Sequence, residues 1–148
     1  GVSMNGREWT TEDLAEIAKL EEECFPDPWT KRMLADSFLS GSFFGSLLEE
    51  EEDGITAYGG IHIVGEEAEI ELIATAEMYR RCGRGGKILD DLLEEAKRRG
   101  VKAVFLEVRV SNAAAQLLYL KKGFKGLYAR SRYYPDGEDA LVMKKELA

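Results

Sequence analysis

Between residues 69 and 124 the chain passes from strand to glycine loop to helix to strand to helix, and this run most limits the folds open to it. Residues 66–75 read as a strand, with Ala68, Ile70 and Leu72 alternating against Glu67, Glu69 and Glu71. Arg80-Arg81-Cys82-Gly83-Arg84-Gly85-Gly86 follows, and then Ile88, Leu89, Leu92, Leu93 and Ala96 fall on one helical stripe that Gly100 ends. Residues 103–110 read as a second strand and 113–122 as a helix closed by Gly123. One strand–helix–strand unit set among hairpins implies an α/β domain with a mixed sheet.

The flanks fit that frame. Thr10-Thr11-Glu12-Asp13 marks a helix start, with Leu14, Ile17, Ala18 and Leu20–Glu21 at helical spacing, and Pro26 and Pro28 stop it. Thr30 caps a second helix carrying Met33, Leu34, Ser37 and Phe38 on one side. Residues 43–50 and 55–64 form a hairpin around Asp53-Gly54; 124–134 and 140–146 form a closing hairpin around Pro135-Asp136-Gly137. With 148 residues and no linker or repeat, a single domain over 4–148 is expected. Gly1-Val2-Ser3 ahead of Met4 reads as a vector-derived leader.

Charge narrows the partners. A net charge of −8 argues against general nucleic-acid binding, which needs a basic face, and favours a basic partner. The five acids 49–53 read as a solvated turn. No apolar run or signal segment points to a membrane, and two cysteines, Cys24 and Cys82, suit a reducing cytoplasm. The absence of a His/Cys cluster predicts no metal, and His62, between Ile61 and Ile63, reads as a surface or packing residue.

The glycine loop follows a strand and opens a helix, so unpaired N–H groups and the positive helix end face any anion there. A Rossmann fingerprint would put its third glycine at Ile88, and a P-loop would need glycine at Arg81 and Ser or Thr at Ile88. A third pattern, R-x-x-G-x-G/A, is met by Arg80-Arg81-Cys82-Gly83-Arg84-Gly85. A helix start without a ligand is the plain alternative.

Four blocks carry a resemblance from residue 23 onward: Cys24-Phe25-Pro26-Asp27-Pro28-Trp29; Ile73-Ala74-Thr75 with the loop from Arg80 to Gly86; Leu106-Glu107-Val108-Arg109-Val110-Ser111-Asn112 with Leu118-Tyr119; and Tyr133-Tyr134 with Glu138-Asp139-Ala140. The chain resembles the GCN5-related N-acetyltransferases, and within them the branch that acetylates the N-terminal alanine of a small-subunit ribosomal protein. The resemblance implies a twisted mixed sheet with helices on both faces and acetyl-coenzyme A between splayed central strands. It implies direct transfer of acetyl to a protein α-amine in a ternary complex. Under it, Glu107 is the general base, Tyr119 the general acid and Asn112 a coenzyme contact. Ile73, Ala74, Thr75, Arg81, Cys82, Gly83, Arg84, Gly85 and Gly86 would bind the cofactor. The chain departs from that pattern at Arg84 (usually aliphatic), Gly86 (often basic), Thr75 (usually valine) and Arg132 (usually asparagine).

The chemistry suits these residue types. A free α-amine has a pKa near 7.7–8.0, so much of it must lose a proton before it can attack a thioester. A carboxylate accepts that proton, and a tyrosine hydroxyl can return one to the departing thiolate. Phe105, Glu107 and Arg109 share one face of their strand. On the next helix Ala114, Leu117 and Leu118 form the expected packing stripe, with Tyr119 and Ala115 beside it and the tyrosine pointing along a cleft. A Glu107–Arg109 ion pair and a core tyrosine are the alternatives to catalysis. Cys82 near a helix start is a weaker nucleophile candidate. Trp29, Tyr133 and Tyr134 suit a peptide groove or plain packing, and Glu138 and Asp139 suit a basic substrate or a solvated turn. Lysine or small-amine acetylation, and acyl-coenzyme A binding without turnover, are the competing functions. The oligomeric state has no signature in the sequence.

Overall fold

A computed structural model describes residues 5–147; the expected leader at 1–3 lies outside them. Seven strands form one sheet: β1 (Arg7–Glu8), β2 (Phe43–Glu50), β3 (Gly54–Val64), β4 (Glu67–Thr75), β5 (Ala103–Arg109), β6 (Lys125–Arg130) and β7 (Ala140–Glu146), in the order β1-β2-β3-β4-β5-β7-β6. Only β4 and β5 run parallel, joined by α3 (Arg84–Arg98), and the other neighbours are antiparallel. The sheet is therefore mixed, as the central strand–helix–strand unit requires.

Helices cover both faces. The α3 stripe of Ile88, Leu89, Leu92 and Ala96 is fully buried against Ala57, Ile61, Ile70 and Val104. On the opposite face α1 (Leu14–Cys24) and α2 (Lys31–Phe38) bury Leu14, Ile17 and Leu34 against Leu47, Tyr58, Leu72 and Trp9. A short 3-10 turn over Thr11–Asp13 precedes α1, and the Asp13 carboxylate accepts the Thr10 N–H at 2.7 Å. The Thr30 hydroxyl accepts the Met33 N–H, so the expected cap is present, although Met33 itself faces solvent.

Several expectations need correction. Gly60 pairs with Leu72 and Ile61 with Ile70, so Glu71 is an extra residue bulged out of β4. The bulge reverses the alternation: Ala68 and Ile70 face α3, while Leu72 and Ala74 face α1. The α4 helix (Ala113–Lys121) buries Tyr119, with Ala115 and Leu118 packed beside it, whereas Ala114 and Leu117 are exposed. Apolar residues surround this helix, so periodicity carries no phase. β6 stops at Arg130, paired with Ala140, so 131–139 is a loop rather than a strand end, although the expected turn at Pro135-Asp136-Gly137 is closed by the Gly137 N–H donating to the Tyr134 carbonyl at 2.8 Å. The acidic turn is only partly solvated: Glu49 pairs with Arg7, Glu50 with Arg84, and Asp53 accepts from the Tyr79 hydroxyl.

Candidate active site

The two central strands part company. β4 and β5 pair only at Glu67–Ala103, Ala68–Val104 and Glu69–Phe105. Beyond that point β4 continues to Thr75 bonded to β3 alone, and β5 continues to Arg109 bonded to β7 alone. Facing backbone groups along the gap thus lack ladder partners, which suits an extended ligand that can itself donate and accept.

At the β4 end of the gap lies the glycine loop. Arg81 (φ 66°) and Gly83 (φ 80°) are left-handed, and α3 starts at Arg84 without a side-chain cap. Its first backbone bond runs from the Lys87 N–H to Gly83, so the N–H groups of Arg84, Gly85 and Gly86 stay available to an anion. Thr75, Leu118 and Lys122 surround these glycines: an added Cβ on Gly85 would lie 3.6 Å from the Thr75 hydroxyl, and one on Gly86 would lie 3.8 Å from Lys122 Nζ. Lys122 had no recognisable signal in the sequence, because its place depends on α4 packing beside the loop.

The loop side chains are used unequally. Arg84 turns inward, donating to Glu50 at 2.7 Å and Thr56 at 3.0 Å, with its guanidinium 4.6 Å from the Tyr79 ring centre. Its backbone N–H, not its charge, is what it presents to the gap. Arg80 donates back to the Thr75 carbonyl at 3.0 Å, and Cys82 is exposed. Cys24, on α1, comes within 4.0 Å of the same carbonyl, and burial pushes its thiol up, which makes it a poorer nucleophile. Asn112 caps α4, its side-chain oxygen accepting the Ala115 N–H at 3.1 Å, which leaves its amide nitrogen for a ligand.

Glu107 stands where β5 leaves β4, two residues past the last rung. It opens onto a groove of about 270 Å³ lined by His62, Glu69, Phe105, Tyr128 and Arg130 among others. Arg130 Nε lies 3.6 Å from its carboxylate. The Tyr133 hydroxyl is pushed up to about 12, chiefly by the Glu107 carboxylate and then by burial, so it stays protonated at neutral pH. Burial, then the Glu107 charge, raises Glu69 above the usual carboxylate range. His62 sits 3.6 Å from Glu71 on the groove's edge.

The alternative Glu107–Arg109 ion pair does not form. Arg109 instead reaches Asp27, Asp136 and Glu138. The Tyr119 ring is buried, edge-on to Phe124 at 5.9 Å between ring centres. Its hydroxyl bonds to no described residue; burial, then Tyr134, pushes it up. Tyr134 also feels the Glu107 and Arg109 charges, and so it links the acid candidate to the base side. Among the described residues no His, Cys, Asp and Glu cluster could hold a metal, and no helix is long and apolar enough to cross a membrane.

Known proteins share this fold. Residues 14–124 match the acetyltransferase (GNAT) family. The chain is 36% identical to a Bacillus subtilis protein provisionally named a ribosomal protein bS18-alanine N-acetyltransferase, over 93% of this chain and 91% of that one. It is 35% identical, over 90% of each, to the Escherichia coli ribosomal protein bS18-alanine N-acetyltransferase. The crystal structure of the ribosomal-protein-S18-alanine N-acetyltransferase from Escherichia coli superposes with a TM-score of 0.89 at 32% identity, covering 99% of this chain and 95% of that one. Arabidopsis thaliana NAA60 in complex with acetyl-CoA, at 13% identity, shares the fold with the same TM-score over 98% and 99% of the two chains.

Proposed function

The chain belongs to the acetyltransferase (GNAT) family and is an N-acetyltransferase, and from that premise we propose that it acetylates the N-terminal α-amine of a ribosomal protein, with alanine as the acceptor residue. The names borne by its relatives support the acceptor. The observation that carries the chemistry is Glu107 at the parting of β4 and β5, facing a groove on one side with the anion-ready start of α3 at the far end of the gap. The cytoplasm, where ribosomal proteins are made, is the expected setting.

Acetyl-CoA supplies an acetyl group activated as a thioester. The N–H groups of Arg84, Gly85 and Gly86, with Lys122 close by, suit its diphosphate; the edge from Ile73 to Thr75, which no second strand covers, suits its amide-bearing arm. Arg81, Cys82 and Gly83 shape the loop, and Asn112 offers its free amide nitrogen. Glu107 takes the proton as the amine nitrogen bonds to the acetyl carbon and the carbon–sulfur bond breaks. Tyr119 keeps its proton at neutral pH and hands it to the departing sulfur. Burial makes the tyrosine a weaker acid, but a thiolate formed in the same dry gap is a stronger base for the same reason.

The test is acetyl transfer to peptides that differ only in their first residue, with the modified atom located by mass spectrometry. Acetyl on the α-amine of alanine-initiated peptides supports the reading; acetyl on lysine side chains or on small amines alone replaces the acceptor; and no transfer to any amine leaves acyl-coenzyme A binding as the function.

A further inference from the structure

Arg109 is joined to more carboxylates than any other side chain near the groove. Its Nη1 donates to Asp136 at 2.8 Å and Glu138 at 2.9 Å, and its Nη2 to Asp27 at 3.1 Å. The Tyr134 ring lies over the guanidinium, 4.1 Å from its centre. These partners come from two separate connections: Asp27 from the loop between α1 and α2, the others from the 131–139 loop between β6 and β7. Both connections are anchored again nearby. Buried Glu21 accepts the Trp29 N–H at 3.0 Å, and Glu138 accepts the Ser111 N–H at 2.8 Å.

Resting on the acceptor reading above, we propose that Arg109 is a positioning residue that clamps the loop between α1 and α2 to the 131–139 loop and so sets the width of an acceptor entrance in front of Glu107. Strand alternation puts Arg109 on the Glu107 face, one step farther along β5, where both loops can meet it. The planar guanidinium suits this place: separate N–H edges hold partners in different directions while its face stacks on an aromatic ring. Lysine keeps the charge but has neither the fork nor the flat face. Exposed ion pairs contribute little stability singly, so the consequence of the clamp is geometric. A narrow, fixed entrance admits an unbranched, extended chain end and disfavours an amine flanked by bulk on two sides.

The experiment measures peptide KM, acetyl-CoA affinity by calorimetry, and kcat for Arg109→Lys, Asp27→Asn and the double variant. The clamp predicts a peptide KM raised about tenfold in Arg109→Lys with acetyl-CoA affinity within about twofold, and a double variant little worse than Arg109→Lys alone, because both remove the same tie. Asp27→Asn cuts one arm only and decides the matter if Arg109→Lys fails to fold: a raised peptide KM supports the clamp. Unchanged peptide KM in the folded variants, or equal losses for peptide and acetyl-CoA, would overturn the clamp while the function stands. Failure of the unmodified protein to acetylate any N-terminal peptide would reject the acceptor itself, and this inference with it.

Discussion

Glu107→Gln keeps the shape of the side chain and removes its ability to take a proton. Turnover with an alanine-initiated peptide should fall by about 10²–10⁴-fold, while acetyl-CoA affinity holds, as single-turnover kinetics and calorimetry can check. Tyr119→Phe should also lower kcat with little change in acetyl-CoA affinity; because its ring packs on Phe124 and its hydroxyl bonds to no described residue, the fold should survive. A third residue shows how the resemblance and the backbone meet. Arg132 has φ 51°, a conformation in which asparagine is comfortable and arginine is not, and its N–H is held by Asp139 at 2.9 Å. Arg132→Asn should therefore stabilise the protein, by about 0.5 kcal/mol, read from chemical denaturation. The place of Glu107 on β5 is legible from strand alternation. The inward turn of Arg84 is not, because its partner Glu50 lies on a strand remote in sequence.

Elements repeat that division. The α3 stripe was legible because one face is apolar and the other charged, and the glycine loop because it interrupts two regular patterns. The Glu71 bulge was hidden, since an even alternation of glutamate and aliphatic residues reads identically whether or not a residue is extruded. Glu21 falls on the helical stripe of α1, but the cost of burying its carboxyl does not show in the spacing. It accepts from the Tyr58 hydroxyl at 2.5 Å and the Trp29 N–H, yet burial outweighs both bonds and raises its pKa above the carboxylate norm. A raised native pKa means the folded chain holds more protons than the unfolded one. Its contribution is complete below the unfolded carboxylate value and is lost as pH rises through the native one. Glu21→Gln should flatten this fall in stability, as denaturant midpoints measured between about pH 4 and pH 7 would reveal. Gly83→Ala should cost about 1–2 kcal/mol by forcing a Cβ into the left-handed region at the head of α3.

Across the whole molecule, 28 acidic against 20 basic residues give a field that attracts cations at long range. For peptides with basic residues after the first, kcat/KM should fall several-fold as salt rises from about 0.05 to 0.5 M, and for neutral peptides it should barely move. The helix-covered mixed sheet supplies a rigid support for one deliberate flaw, the three-rung contact between β4 and β5. That flaw has a signature of its own. Alternate amides of β4 beyond Glu69 point away from β3, so they should trade hydrogen for deuterium quickly in the free protein and slowly with acetyl-CoA present. Labelling followed by mass spectrometry would then report occupancy of the wedge without a single turnover.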